Sequence, residues 1–142
     1  MECTVHWVAD AGMAMLAETG SGHTLTMDGA PEGGGRNLAP RPMETLLAGA
    51  GGCTAYDVVL ILKRGRHAVS GCQVQLKAER AETDPKVFTA LHMHFIVSGR
   101  ALQLAAVERA VALSHEKYCS ATAMIGHTAR ITTSVELRET AG

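Results

Sequence analysis

The alternation of apolar and polar positions opens the chain with short strands. Thr4 to Ala9, Met13 to Glu18 and Thr24 to Met27 each read as a strand, and Gly12 and Ser21-Gly22 punctuate them as turns, so the N-terminus is predicted to be a three-stranded meander. Residues 29–42 then hold four glycines and three prolines, a composition in which no regular element is expected. A loop of that length in a compact chain is usually functional or disordered. From Pro42 to Arg64 the period changes. Leu46, Leu47, Ala50, Thr54, Val58 and Ile61 recur at three- and four-residue spacing, Pro42 suits the first helical turn, and Lys63, Arg64 and Gly65 form a basic, glycine-stopped end. The pattern predicts one long helix.

Val74 to Glu79 alternates again, Asp84-Pro85 is a turn, and Val87 to Val97 places Leu91, Met93 and Phe95 opposite His92, His94 and Ile96. These two runs predict an antiparallel hairpin. Leu102 to Tyr118 returns to helical spacing, with Leu104, Val107, Val111 and His115 on one face. Ser120 to Ile125 fits a short extra turn or helix, and Ile131 to Leu137 a closing strand. Strands, a long helix, a strand pair, a helix and a strand make an α+β chain with helices segregated to one side of its sheets. With no internal repeat, residues 1–142 are expected to form a single domain.

Composition narrows this picture. Hydrophobic residues make up 46% of the chain and aromatics only 4%, so the core must be aliphatic, with seven methionines as adaptable filler. A formal net charge of -1 gives no reason to expect a nucleic-acid partner. The apolar stretches look short and interrupted, so no membrane segment is expected, and the first ten residues lack the basic and apolar regions of a signal peptide. Cysteines at 3, 53, 72 and 119 are too sparse and irregular for a disulfide framework, which favours the cytoplasm. There a cysteine is either packing or chemistry.

Cys53 stands out. It lies in the run LAGAGGCTAYD, residues 47–57, where three glycines inside a helix cost roughly 1 kcal/mol each relative to alanine. Small residues there admit close approach of another backbone or a ligand, for example a second helix crossing at the glycines. The alternative is plain packing, since a buried cysteine is a good small hydrophobe.

The segment PRPMETLLAGAGGCTAYD, residues 40–57, resembles the central helix of the OsmC/Ohr family (osmotically induced protein C and organic hydroperoxide resistance protein), and SHEKYCSATAM, residues 114–124, resembles that family's second cysteine motif. The element order fits over essentially the whole chain, in a less studied branch of the family. The resemblance implies a two-layer fold with antiparallel sheets around a long central helix, in an intertwined homodimer. It also implies thiol-dependent reduction of organic hydroperoxides: Cys53 attacks the peroxide and becomes a sulfenic acid, Cys119 condenses with it, and a cellular dithiol reduces the disulfide. Such a thiol needs a cation beside it. The family's peroxidases place a glutamate directly after the proline that opens the helix, where it orients an arginine beside the thiolate. Here Met43 occupies that position and Glu44 follows. Glu44 precedes Cys53 by nine residues, roughly 900° around and about 13 Å along a straight helix, so the two cannot touch within it. Arg36 and Arg41, both in the Gly/Pro-rich loop, are candidates for the activating cation, with Arg36 preferred. The site expected from the resemblance is therefore Cys53, Cys119, Arg36 and Glu44. The other reading of the same scaffold is a non-enzymatic stress protein that binds a small apolar or electrophilic ligand, or a thiol redox sensor.

Other residues add less. Asp57 follows Cys53 by one turn on the same face, and a carboxylate there opposes thiolate formation. His92 and His94 share a strand face but lack a third ligand, so they read as an exposed pair. His115 precedes Cys119 by one turn and either tunes it or packs. Cys3 and Cys72, the latter at the start of a strand, read as incidental, and Arg64 and Arg66 as complements to the helix end. The Gly33 to Gly35 run lacks the downstream signature of a phosphate loop. No cofactor and no metal are expected.

Overall fold

A computed structural model describes residues 1–140. The chain divides into two compact units, Met1–Ala48 and the remainder from Gly49. In the first unit β1 (Cys3–Trp7), β2 (Met15–Thr19) and β3 (Thr24–Met27) form the antiparallel meander in the order β1-β2-β3, pairing Val5 with Ala17 and Ala17 with Leu25. β1 stops two residues short of its predicted end, because a short 3-10 turn at Ala9–Ala11 takes over and the Trp7 indole N–H donates to the Gly12 carbonyl at 2.8 Å. The loop that follows is more ordered than its composition predicts. Pro31–Gly33 makes a 3-10 turn closed by Gly34 at φ 88°. Asp28, 3% exposed, accepts backbone N–H bonds from Gly29 at 2.7 Å, Arg36 at 3.2 Å and Leu38 at 3.1 Å. One carboxylate thus replaces the strand or helix partners that this segment lacks.

α1 (Pro42–Arg64) begins in the first unit and runs into the second with the predicted bounds. Arg41 is its N-cap, and Glu44 reaches back to accept the Arg41 N–H at 2.9 Å, which is half of a capping box. The apolar stretch of α1 is longer than the sequence reading marked: by length and composition alone the helix could cross a membrane, with 28% of its most apolar window buried. Its buried residues are Ala50, Gly51, Thr54, Val58 and Leu62, a stripe at three- and four-residue spacing, as on a helix that packs one face on a core.

In the second unit β4 (Ala68–Arg80) and β5 (Phe88–Arg100) form the predicted hairpin, each longer than the alternation marked. β6 (Arg130–Glu139) runs parallel to β5, so this sheet is mixed rather than antiparallel throughout, and its order is β4-β5-β6. Leu91, Met93, Phe95 and Val97 are buried along the central strand, paired with Ala78, Leu76, Val74 and Cys72 on β4 and with Ile131, Thr133, Val135 and Leu137 on β6. Val58 and Leu62 of α1, with Val107, Ala110 and Val111 of α2 (Leu104–Leu113), complete the aliphatic core.

The glycines of α1 behave differently from one another. A Cβ on Gly51 would lie 2.8 Å from Leu76 Cδ1, so there the close neighbour is a sheet side chain and not a second helix. Gly49 and Gly52 meet nothing within 4 Å. The predicted helix to Tyr118 ends earlier: after Leu113 the backbone widens into a π-helical turn, Ser114–Tyr118, before the short helix α3 (Ser120–Ile125). Cys72 does not start a strand. It lies inside β4 next to the bulge between Val69 and Gly71.

Candidate functional site

Cys53 and Asp57 occupy successive turns of α1, on one face and half-buried. Cys119 arrives from 66 residues away, and it is 3% exposed. The π turn sets its position, because its N–H donates to the Ser114 carbonyl at 2.8 Å while the residue itself caps α3. Its sulfur accepts the Thr122 N–H at 3.4 Å. The result brings Cys53 Sγ, a carboxylate oxygen of Asp57 and Cys119 Sγ to within 4.8 Å of one another. All four cysteines are free thiols.

A buried hydroxyl chain fixes the carboxylate. Ser114 Oγ donates to Asp57 Oδ2 at 2.9 Å, so the 2.8 Å bond between Thr54 Oγ1 and Ser114 Oγ has Thr54 as donor. Thr54 and Ser114 are 1% and 0% exposed, so both hydroxyls depend on this chain. Burial pushes the Cys119 thiol up. The hydrogen bonds from Thr122 oppose that shift, and the neighbouring Cys53 adds to it. The π turn that delivers Ser114 and Cys119 is the kind of helical irregularity that often marks functional sites. Within it His115 Nδ1 is buried without a hydrogen-bond partner.

A cavity of about 280 Å³ adjoins the site, lined by Asp57, Leu60, Ile61, Arg64, Leu113 and Tyr118. Arg64, expected only to complement the helix end, is thus a wall of this cavity together with Asp57. The two remaining candidates belong to the first unit. The Arg36 backbone is tied to Asp28, and a Cβ on Gly12 would lie 3.3 Å from Arg36 Nε. Glu44 is exposed, caps α1, and pairs with Arg41 at 3.9 Å.

Sequence reasoning singled out Cys53 and Cys119 but missed Thr54, Ser114 and Asp28. Thr54 and Ser114 carried only a weak signal, since both are polar residues within otherwise apolar helical stripes. His92 and His94 form the expected surface pair. They are hydrogen-bonded to Thr132 Oγ1 and to Ser134 Oγ on β6, at 2.7–2.9 Å, and His94 Nε2 lies 3.7 Å from Glu136.

A family model described as OsmC-like protein matches residues 33–134. The chain is 48% identical over 137 residues to protein YhfA of Escherichia coli K12, an alignment that covers 96% of this chain and 98% of that protein. A hypothetical protein from Aquifex aeolicus is 30% identical, with a TM-score of 0.84 over 99% of this chain and 97% of the other. An organic hydroperoxide resistance protein OsmC from Legionella pneumophila superposes with a TM-score of 0.68 over 95% of each chain, and at 20% identity that likeness is one of fold alone.

Proposed function

We propose, because the chain belongs to the OsmC-like protein family, that Cys53 and Cys119 form a redox pair that reduces organic hydroperoxides. The observation that carries the reading is the convergence of two free thiols from distant segments on one site beside an apolar cavity. Cys53 Sγ attacks the terminal oxygen of ROOH. The O–O bond breaks, the alkoxide leaves as ROH after taking a proton, and Cys53 becomes a sulfenic acid. Cys119 Sγ then attacks that sulfur and displaces hydroxide, which leaves as water with the Cys119 proton. A cellular dithiol returns the disulfide to two thiols. Leu60, Ile61 and Leu113 favour an organic over an inorganic peroxide by burying its apolar part.

In this reading Arg36 is the activating cation and Glu44 its support, carried on the ordered loop and on the first turn of α1. The protein works as one domain over residues 1–142, in the cytoplasm, as a homodimer. Support for the dimer comes from α1, whose uncovered side presents Gly49 and Gly52 with open space around them and Tyr56 at 69% exposure. The second reading, a ligand-binding or redox-sensing protein on the same fold, draws on Asp57, whose carboxylate oxygen lies within 4.8 Å of both sulfurs.

The deciding experiment treats reduced protein with cumene hydroperoxide and, separately, with hydrogen peroxide, and maps the products by mass spectrometry. The peroxidase reading expects a rapid Cys53–Cys119 disulfide, faster with the organic peroxide and lost in Cys53→Ser. Slow, unselective oxidation transfers the function to binding or sensing.

A further inference from the structure

From the same three side chains we infer that Cys53, Asp57 and Cys119 form a binding site for a thiophilic divalent cation, zinc being the physiological fit. The donor set is two sulfurs and a carboxylate oxygen, all within 4.8 Å of one another. Tetrahedral zinc, at about 2.3 Å from sulfur and about 2.0–2.2 Å from oxygen, needs donors roughly 3.5–3.8 Å apart. The three atoms therefore close on an ion by side-chain shifts of about an ångström. A disulfide, at about 2.05 Å between sulfurs, requires a larger movement of Cys53 and Cys119.

The scaffold around the donors matches what a metal ligand needs. Cys53 and Asp57 are held one turn apart on a rigid helix. Cys119 is fixed by its backbone bond to Ser114 and by the Thr122 N–H on its sulfur. Asp57 Oδ2 is held by Ser114 Oγ, itself held by Thr54, which leaves Oδ1 to coordinate. Such an outer shell orients a ligating carboxylate and strengthens binding. Two thiolates and one carboxylate carry three negative charges, which a divalent ion reduces to one. Soft sulfur donors select zinc over magnesium or calcium. Three protein ligands leave a fourth position for water, as in zinc sites that keep an open coordination position.

Metal and disulfide exclude each other, since both need the two sulfurs. A loaded site meeting a hydroperoxide would follow Zn(S)2 + ROOH + 2 H+ → S–S + ROH + H2O + Zn2+, where the two thiolates are oxidised, the peroxide is reduced and the ion leaves. This release step rests on the peroxidase reading, whereas the metal site itself does not.

The test titrates the reduced, metal-free 142-residue chain with Co2+ under anaerobic conditions. One ion per chain is expected, with a thiolate-to-cobalt charge-transfer band that vanishes in Cys53→Ser and in Cys119→Ser and persists in Cys72→Ser. Asp57→Asn should weaken binding by at least about tenfold, and Ser114→Ala by roughly 10- to 100-fold. Independently of any variant, Zn2+ should slow alkylation of Cys53 and Cys119 in the unmutated protein while leaving Cys3 unaffected. Absence of the band, its survival without either cysteine, unchanged affinity in folded Asp57→Asn, or alkylation indifferent to Zn2+ overturns the inference. Peroxide added to the cobalt form separates the two readings. Loss of the band with disulfide formation supports both, and a band that outlasts the peroxide, in a protein whose metal-free form also yields no Cys53–Cys119 disulfide, keeps the metal site and removes the peroxidase. A disulfide in protein that never bound cobalt does the reverse.

Discussion

The chain Thr54→Ser114→Asp57 makes a sharp prediction about non-additivity. Thr54 donates to Ser114 at 2.8 Å, and Ser114 in turn donates to Asp57 at 2.9 Å. Thr54→Val keeps the shape and leaves the Ser114 donor satisfied, so it should cost about 1 kcal/mol, the net worth of one hydrogen bond. Ser114→Ala is harsher. It removes a bond to a carboxylate, worth about 1.5–3 kcal/mol, and it orphans the Thr54 hydroxyl in a buried place at a further cost of about 1–3 kcal/mol. In the double variant that orphan is gone. Thr54→Val should therefore rescue part of the Ser114→Ala defect, and the double variant should be at least as stable as Ser114→Ala alone. The expected coupling is about 1–3 kcal/mol in favour of the double variant, well above the scatter of independent sites. Urea unfolding of the four proteins at one fixed concentration measures it, because with a common slope the midpoints give the differences directly. If Thr54→Val costs as much in the Ser114→Ala background as in the unmutated chain, the two hydroxyls do not act as a unit and the reasoning fails.

Three further predictions concern the first unit. The Asp28 carboxyl is held below the ordinary aspartate value of 3.8, chiefly by the Gly29 and Leu38 backbone N–H groups, with Arg36 adding to the effect. A depressed folded-state value means a contribution that is full above the ordinary range and disappears as the pH falls through the folded value. Asp28→Asn should therefore flatten the acid limb of stability below about pH 4, and an unchanged acid limb in urea titrations would refute the assignment. Glu44→Ala should cost about 0.5–1 kcal/mol through the lost cap while Glu44→Gln costs less, and thermal unfolding of both checks this. If Glu44 also supports the peroxidase chemistry, Glu44→Gln will slow Cys53 oxidation despite near-normal stability. Gly35→Ala would drive a Cβ into the Gly29 backbone, whereas Gly33→Ala meets nothing within 4 Å. The first should destabilise by on the order of 1–3 kcal/mol and expose the loop to proteolysis, and the second should stay within about 0.5 kcal/mol of the unmutated chain.

The helices and strands were legible because their signals are local. The 3.6-residue period marked the body of α1 while Pro42 and Gly65 marked its ends, and the alternation along β5 sorted Leu91, Met93 and Phe95 from His92 and His94. What escaped the sequence depends on contacts between distant segments or on backbone hydrogen bonds. The parallel pairing of β5 with β6 depends on the path through α2 and α3. The π turn depends on where Ser114 and Cys119 must both arrive. Asp28 carries no signal of its own in the sequence, and its role in ordering the Gly/Pro loop exists only once the Gly29, Arg36 and Leu38 N–H groups converge on it.

The candidate site shows the same division, and it changes the meaning of one residue. Read along α1 alone, Asp57 is an argument against a reactive Cys53, because a negative charge one turn away opposes a thiolate. Set beside Ser114 and Cys119, it is an oriented carboxylate in a three-donor cluster, held by two buried hydroxyls in series. A charge that merely hindered the cysteine would not need such support. The support is accounted for if the carboxylate serves a cation shared with the sulfurs, and Asp57→Asn separates the possibilities. If Asp57 only opposes ionisation, removing its charge should speed alkylation of Cys53 in the metal-free protein and leave cobalt binding unchanged. If it is a ligand, cobalt affinity must fall by at least about tenfold, whatever happens to the alkylation rate.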